Sequence, residues 1–201
     1  RQHSQIDDGD AKDYPKECCC DGDDPGDLQK CRKNTENHTG DDSKYYNKYR
    51  RYETDGAYNS QSSPYYSWFK FDCWPDKCHC WWGVPSLPET VEDDESFTEF
   101  ICGENGVLRY WLRQGASGWR LDVADELPDK FLDEIRTAIK NENPDALLIG
   151  EVWEDASNKI SYGARRRFII GKQLDSVMNY PFCSAIIDFV RGSDSGENFI
   201  D

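Results

Sequence analysis

The chain has 201 residues, enough for one ordinary domain or for part of a larger one. Its 39 Asp and Glu against 24 Lys and Arg leave a net charge of -15, which repels phosphate backbones and excludes nucleic acid as an expected partner. No apolar run is long enough to span a bilayer, so no membrane partner is expected, while a neutral ligand such as a sugar is compatible with the charge.

Residues 1–36 nearly lack apolar side chains, and charge and glycine dominate through Asp21, Gly22, Asp23, Asp24, Pro25, Gly26 and Asp27. No helical or strand period emerges, so this segment is expected to be disordered or to come from a damaged stretch of coding sequence. The 9 cysteines are an odd set without disulfide-like spacing, and Cys18, Cys19 and Cys20 are adjacent. Cys73, Cys78, His79 and Cys80 invite a zinc reading, but a structural zinc wants a second ligand pair and none follows. No metal is therefore expected. Reduced thiols, with no signal peptide starting at Arg1, point to the cytoplasm.

From Tyr45 to Trp82 the chain is rich in aromatic residues interleaved with Gly, Pro, Ser and Asp, a pattern of loops and short strands. Val107, Leu108, Trp111 and Leu112 then sit at helical spacing, with Gly115 as a stop. Gly118 to Ala124 reads as a strand, and Pro128 opens a helix with Phe131, Leu132, Ile135, Ala138 and Ile139 on one face. Pro144 ends that helix. Ala146 to Val152 is almost wholly apolar, as expected of a strand buried on both faces. Leu174 to Tyr180 reads as a third strand, and Pro181 to Val190 as a helix closed by Gly192. This alternation predicts an α/β protein with parallel strands.

Arg120 and Asp122 lie two apart on one strand and share a face. A carboxylate beside a guanidinium is expected to keep a low pKa, as a nucleophile or electrostatic stabiliser needs. The same spacing reads equally well as a structural ion pair at a strand end. Glu151 ends the next strand, after one helix, so both carboxyls are expected to face one pocket from neighbouring strands. Such neighbours can lie about 5 Å apart, the separation of a retaining glycosidase. Beside an ionised Asp122, the Glu151 pKa is expected to be raised, which suits a proton donor.

The residues around these acids are more specific than their spacing. The segment Gly118, Trp119, Arg120, Leu121, Asp122, Val123, Ala124, Asp125, Glu126 and the segment Gly150, Glu151, Val152, Trp153, Glu154 resemble the two central motifs of the α-amylase family. Asn37, His38, Thr39 and Gly40 resemble the end of its earlier motif. Three such segments in order are a specific signal, and the likeness runs from about Asn37 to the end. Val123 to Glu126, with Trp81, Trp82, Gly83 and Leu87, Pro88, Glu89 upstream, is most similar to the neopullulanase, cyclomaltodextrinase and maltogenic amylase branch.

The resemblance implies a partial (β/α)8 TIM barrel of which about strands 4–6 are recognisable. Residues 37–103 would hold the end of strand three and an aromatic-rich insert, and residues 104–201 the central part of the barrel. It implies Asp122 as nucleophile, Glu151 as general acid/base and Arg120 as the cation orienting the nucleophile. His38 would hold the sugar at the cleavage subsite, and Glu126, Trp153 and Glu154 would shape the leaving-group side. Two or three insert aromatics are expected on substrate and the rest in a small core.

The implied activity is retaining hydrolysis, with transglycosylation in view, of α-1,4 and α-1,6 glucosidic bonds in maltodextrins, cyclodextrins or pullulan. No cofactor is implied, calcium in the complete protein stays open, and a homodimer is an expectation for the complete protein only. Two departures stand out. Lys33 occupies the position of a family Asp, as an upstream frame error would produce, and the family's third carboxylate lies beyond the residues present. Little hydrolysis is therefore expected from these residues alone, and a non-catalytic glucan-binding fragment is the alternative.

Overall fold

The computed structural model describes residues 40–161, 163–170 and 173–192. The atypical segment 1–36 and His38 lie outside the described residues.

The segment from Tyr45 to Trp82 is built on aromatic packing because it has few aliphatic residues to bury. Tyr45, Tyr46, Trp68 and Phe69 are buried, with the Tyr45 and Trp68 rings 5.1 Å apart and those of Tyr46 and Phe69 5.1 Å apart. Edge and tilted contacts of this kind add about 0.5–1.5 kcal/mol each beyond the area they bury. Its regular structure is one antiparallel hairpin, β1 (Phe71–Cys73) with β2 (Lys77–Cys78), plus short 3-10 turns at Tyr66–Trp68 and Trp81–Gly83. Loops and short strands match the expectation from composition.

Helix α1 (Glu95–Cys102) begins where Asp94 accepts from the backbone N–H groups of Ser96 and Phe97, both at 3.0 Å, a standard N-cap. It turns Phe97 and Ile101 inward. Helix α2 (Val107–Arg113) follows, burying Val107, Leu108 and Leu112 and stopping just before Gly115, whose φ of +103° suits glycine. Both helices pack on α3 (Asp129–Glu142), which buries the five apolar residues expected of it.

Strands β3 (Gly118–Leu121) and β4 (Leu147–Gly150) are joined through α3 and pair in parallel, with Gly118 opposite Leu147 and Leu121 opposite Gly150. The third predicted strand is shorter than the sequence suggests. β7 (Ser176–Val177) is the regular part, although the ladder to β4 runs from Asp175 N–H on Leu148 O (2.8 Å) to Met178 N–H on Gly150 O (2.9 Å). The three strands form one parallel sheet in the order β3-β4-β7. Between β4 and β7 a hairpin of β5 (Ile160–Ser161) and β6 (Ala164–Arg165) interrupts the chain, too short for its pattern to stand out in sequence.

Helix α4 (Tyr180–Arg191) starts with Asn179 accepting from the Phe182 N–H at 3.0 Å and ends at Gly192, whose φ is +68°. Its apolar residues Phe182, Ile186, Phe189 and Val190 are exposed. Among the described residues no helix is long and apolar enough to cross a membrane.

The core lies between sheet and helices, with Leu121, Leu148, Phe131, Leu132, Ile135 and Ile139 all fully enclosed. Each such side chain contributes about 1.5–3 kcal/mol by leaving water. That core fixes the relative height of β3 and β4, and hence of the residues just beyond their ends.

Candidate active site

Register does most of the placing. Leu121 is opposite Gly150, and the Glu151 N–H bonds to Leu121 O at 2.9 Å, so the ladder carries one step further and sets Asp122 beside Glu151. The two carboxyls are near enough to shift each other's proton affinity. Arg120, one side-chain step back on β3, bridges them: one guanidinium nitrogen pairs with Asp122 Oδ1 and the other lies 3.2 Å from Glu151 Oε2. A planar fork is suited to this because its two nitrogens hold two acceptors at a set separation. Met178 Sδ, at the end of β7, accepts from the same Arg120 at 3.5 Å.

Glu151 is 8% exposed and collects further donors. The Val123 N–H reaches Oε2 at 2.8 Å, while the Trp153 indole N–H (3.0 Å) and the Tyr180 hydroxyl (2.8 Å) both donate to Oε1. Val123 pays for its contact with a φ of +41°, a conformation that β-branched residues rarely adopt and that concentrates at functional sites.

These donors reverse the proton order expected from sequence. Burial alone would raise the Glu151 carboxyl, but the Val123, Trp153 and Tyr180 donors outweigh it and hold the group down to about 2. Asp122 moves the other way. Burial and the neighbouring Glu151 carboxyl raise it, and Arg120 only partly offsets them. Within the pair, Glu151 is thus the carboxyl held low and Asp122 the one pushed up. The expectation failed because the Val123 amide and the Trp153 indole turn onto Glu151 only in the folded chain, and Tyr180 lies outside both motif segments.

Tyr180 and the Val123 amide were absent from the sequence-based site. Tyr180 carried a legible signal, since it stands at the tip of a predicted strand, where parallel sheets place their sites. The Val123 amide carried none, because its direction depends on one unusual backbone angle.

The remaining predicted residues sit around this cluster. Trp153 belongs to it through its bond to Glu151. Glu154 reaches out to Lys159 at 3.2 Å, and Lys159 also pairs with Asp125. Glu126 lines a cavity of about 450 Å³ together with Glu89, Glu92 and Arg166. Burial raises the Glu126 carboxyl and pushes that of Glu92 up to about 7. Among the described residues no three His, Cys, Asp or Glu side chains converge as metal ligands do, and His79 is held by Asp72 at 2.8 Å.

Comparison with known proteins meets this geometry at the same segments. The model of the α-amylase catalytic domain matches residues 34–198. An amylopullulanase from Thermoanaerobacterium saccharolyticum is 38% identical over 175 residues, covering 78% of this chain and 13% of the relative. Neopullulanase 2 from Thermoactinomyces vulgaris is 39% identical over 117 residues, covering 58% of this chain and 18% of the relative. Among solved structures, the debranching enzyme of Nostoc punctiforme in its native form superposes with a TM-score of 0.56 at 36% identity, over 66% of this chain and 27% of that one. The chain therefore spans a small part of the length of the relatives it matches. With a family model matched along most of its residues and both acids inside that match, the chain belongs to the α-amylase catalytic-domain family.

Proposed function

We propose that the full-length protein hydrolyses α-glucosidic bonds of starch-like oligosaccharides, cyclodextrins or pullulan with retention of configuration. In this reading the sheet β3-β4-β7 supplies strands four to six of a (β/α)8 barrel, and residues 41–103 form the insert over its site. The observation that carries the proposal is the in-register pair Asp122 and Glu151 held by the single guanidinium of Arg120.

In the first step an Asp122 oxygen attacks the anomeric carbon while the glycosidic C–O bond breaks and Glu151 gives its proton to the leaving oxygen. In the second, water loses a proton to Glu151 and its oxygen bonds to the same carbon, releasing Asp122. Two inversions give net retention. Within the pair, the Val123, Trp153 and Tyr180 donors favour the ionised form of Glu151. For the first step its proton affinity must rise. A glucosyl ring between the carboxyls excludes water from Glu151 and breaks its contact with Asp122, and both changes act in that direction.

Proton NMR of maltotriose hydrolysis by the full-length protein tests the proposal. The α-anomer of the new reducing end is expected first, with the β-anomer appearing only through mutarotation. First appearance of the β-anomer would mean inversion and exclude a covalent intermediate at Asp122.

A further inference from the structure

Trp82 is 63% exposed, unusual for the largest apolar side chain, and it has a positive φ of 48°. Neither feature serves the core. A tight turn holds it there: the Gly83 N–H bonds to Cys80 O at 3.1 Å, the Val84 N–H to Trp81 O at 2.9 Å, and the Trp81 N–H to Leu87 O at 2.9 Å. A non-glycine residue in this conformation is strained, so the turn maintains an exposed indole at some expense in stability.

Its neighbours show what the ring is aimed at. Trp81 stacks behind Trp82 with centroids 5.2 Å apart and planes 15° apart, which stiffens it. Trp153 meets it at 84° with centroids 5.6 Å apart and is itself 40% exposed. The indole N–H of Trp153 is the group that donates to Glu151 Oε1 at 3.0 Å. An exposed, right-angled corner of two indoles thus joins the insert to the proton-donating carboxyl through one side chain.

We propose that Trp82 is a specificity-determining residue of the leaving-group side: its free face stacks on a glucosyl ring beyond the cleaved bond, and Trp153 closes the corner beside that ring. The assignment rests on the glycosidase reading above. A pyranose suits the corner because its C–H faces are apolar and its rim is polar, whereas the net charge of -15 disfavours anionic ligands. The insert thereby senses whether the substrate extends past the scissile bond, using a residue outside the catalytic motifs.

The test compares maltoheptaose, which places glucosyl rings on both sides of the cleaved bond, with α-maltosyl fluoride, whose leaving group carries no sugar. In full-length Trp82→Ala the KM for maltoheptaose is expected to rise about 10-fold, while that for α-maltosyl fluoride rises less than about 2-fold. Trp82→Phe, which keeps a flat ring, should recover most of the difference. An unchanged maltoheptaose KM in Trp82→Ala, or equal losses on both substrates, would overturn the assignment of Trp82 alone. A wild-type protein inactive on both substrates would instead sink the glycosidase reading, and this inference with it.

Discussion

On the proposed mechanism, replacing Asp122 with Asn in the full-length protein is expected to lower kcat for maltotriose by at least about 10³-fold, equivalent to roughly 4 kcal/mol of transition-state stabilisation. The amide is close to isosteric with the carboxylate, so β3 and its register with β4 persist, as does the contact of Arg120 with Glu151. What disappears is the oxygen able to form an ester with the anomeric carbon. Substrate binding should survive, because it does not depend on the nucleophile's charge alone. Steady-state kinetics together with tryptophan-fluorescence titration by maltotriose separates the two. A variant that keeps a near-normal kcat would remove Asp122 from the nucleophile's position.

On the same mechanism, replacing Glu151 with Gln is expected to produce a loss whose size depends on the leaving group. A positioned general acid contributes about 10²–10⁴-fold, so maltotriose hydrolysis should fall by that much. Fluoride leaves without a proton, so formation of the intermediate from α-maltosyl fluoride should fall far less. Its hydrolysis still needs a base, so the intermediate accumulates and a burst of fluoride precedes a slow steady state. Azide needs no base and should speed the second step, giving α-maltosyl azide. Equal losses on both substrates, with no burst and no azide effect, would show that Glu151 is not the acid/base. The contrast with Asp122→Asn matters, because that variant should be slow on both substrates.

The sequence disclosed the frame of this site well because periodicity and motif act on the same residues. The apolar runs around Leu121 and Leu148, with one amphipathic helix between them, are enough to predict adjacent parallel strands, and adjacency puts Asp122 next to Glu151. The strand after Leu174 was legible as a strand but not in length, since Asp175 to Met178 keep their ladder bonds while only Ser176 and Val177 pair regularly. The electrostatics were not legible. They turn on Tyr180, on the Trp153 indole and on the Val123 amide, whose convergence on Glu151 depends on the folded chain and on one left-handed backbone angle. Trp82 shows the same limit: only packing separates the core rings of Tyr45, Tyr46 and Trp68 from exposed ones such as Tyr49 and Trp82.

The account stands on Asp122 forming the covalent bond while Glu151 serves the proton. A 5-fluoro-α-maltosyl fluoride, which reacts in the first step and is slow in the second, is expected to inactivate the full-length protein. Mass spectrometry of a digest should then find one maltosyl ester, on the peptide and residue of Asp122. An ester on Glu151 or on another residue, or turnover of the reagent by an active protein with no labelled peptide, would contradict the account.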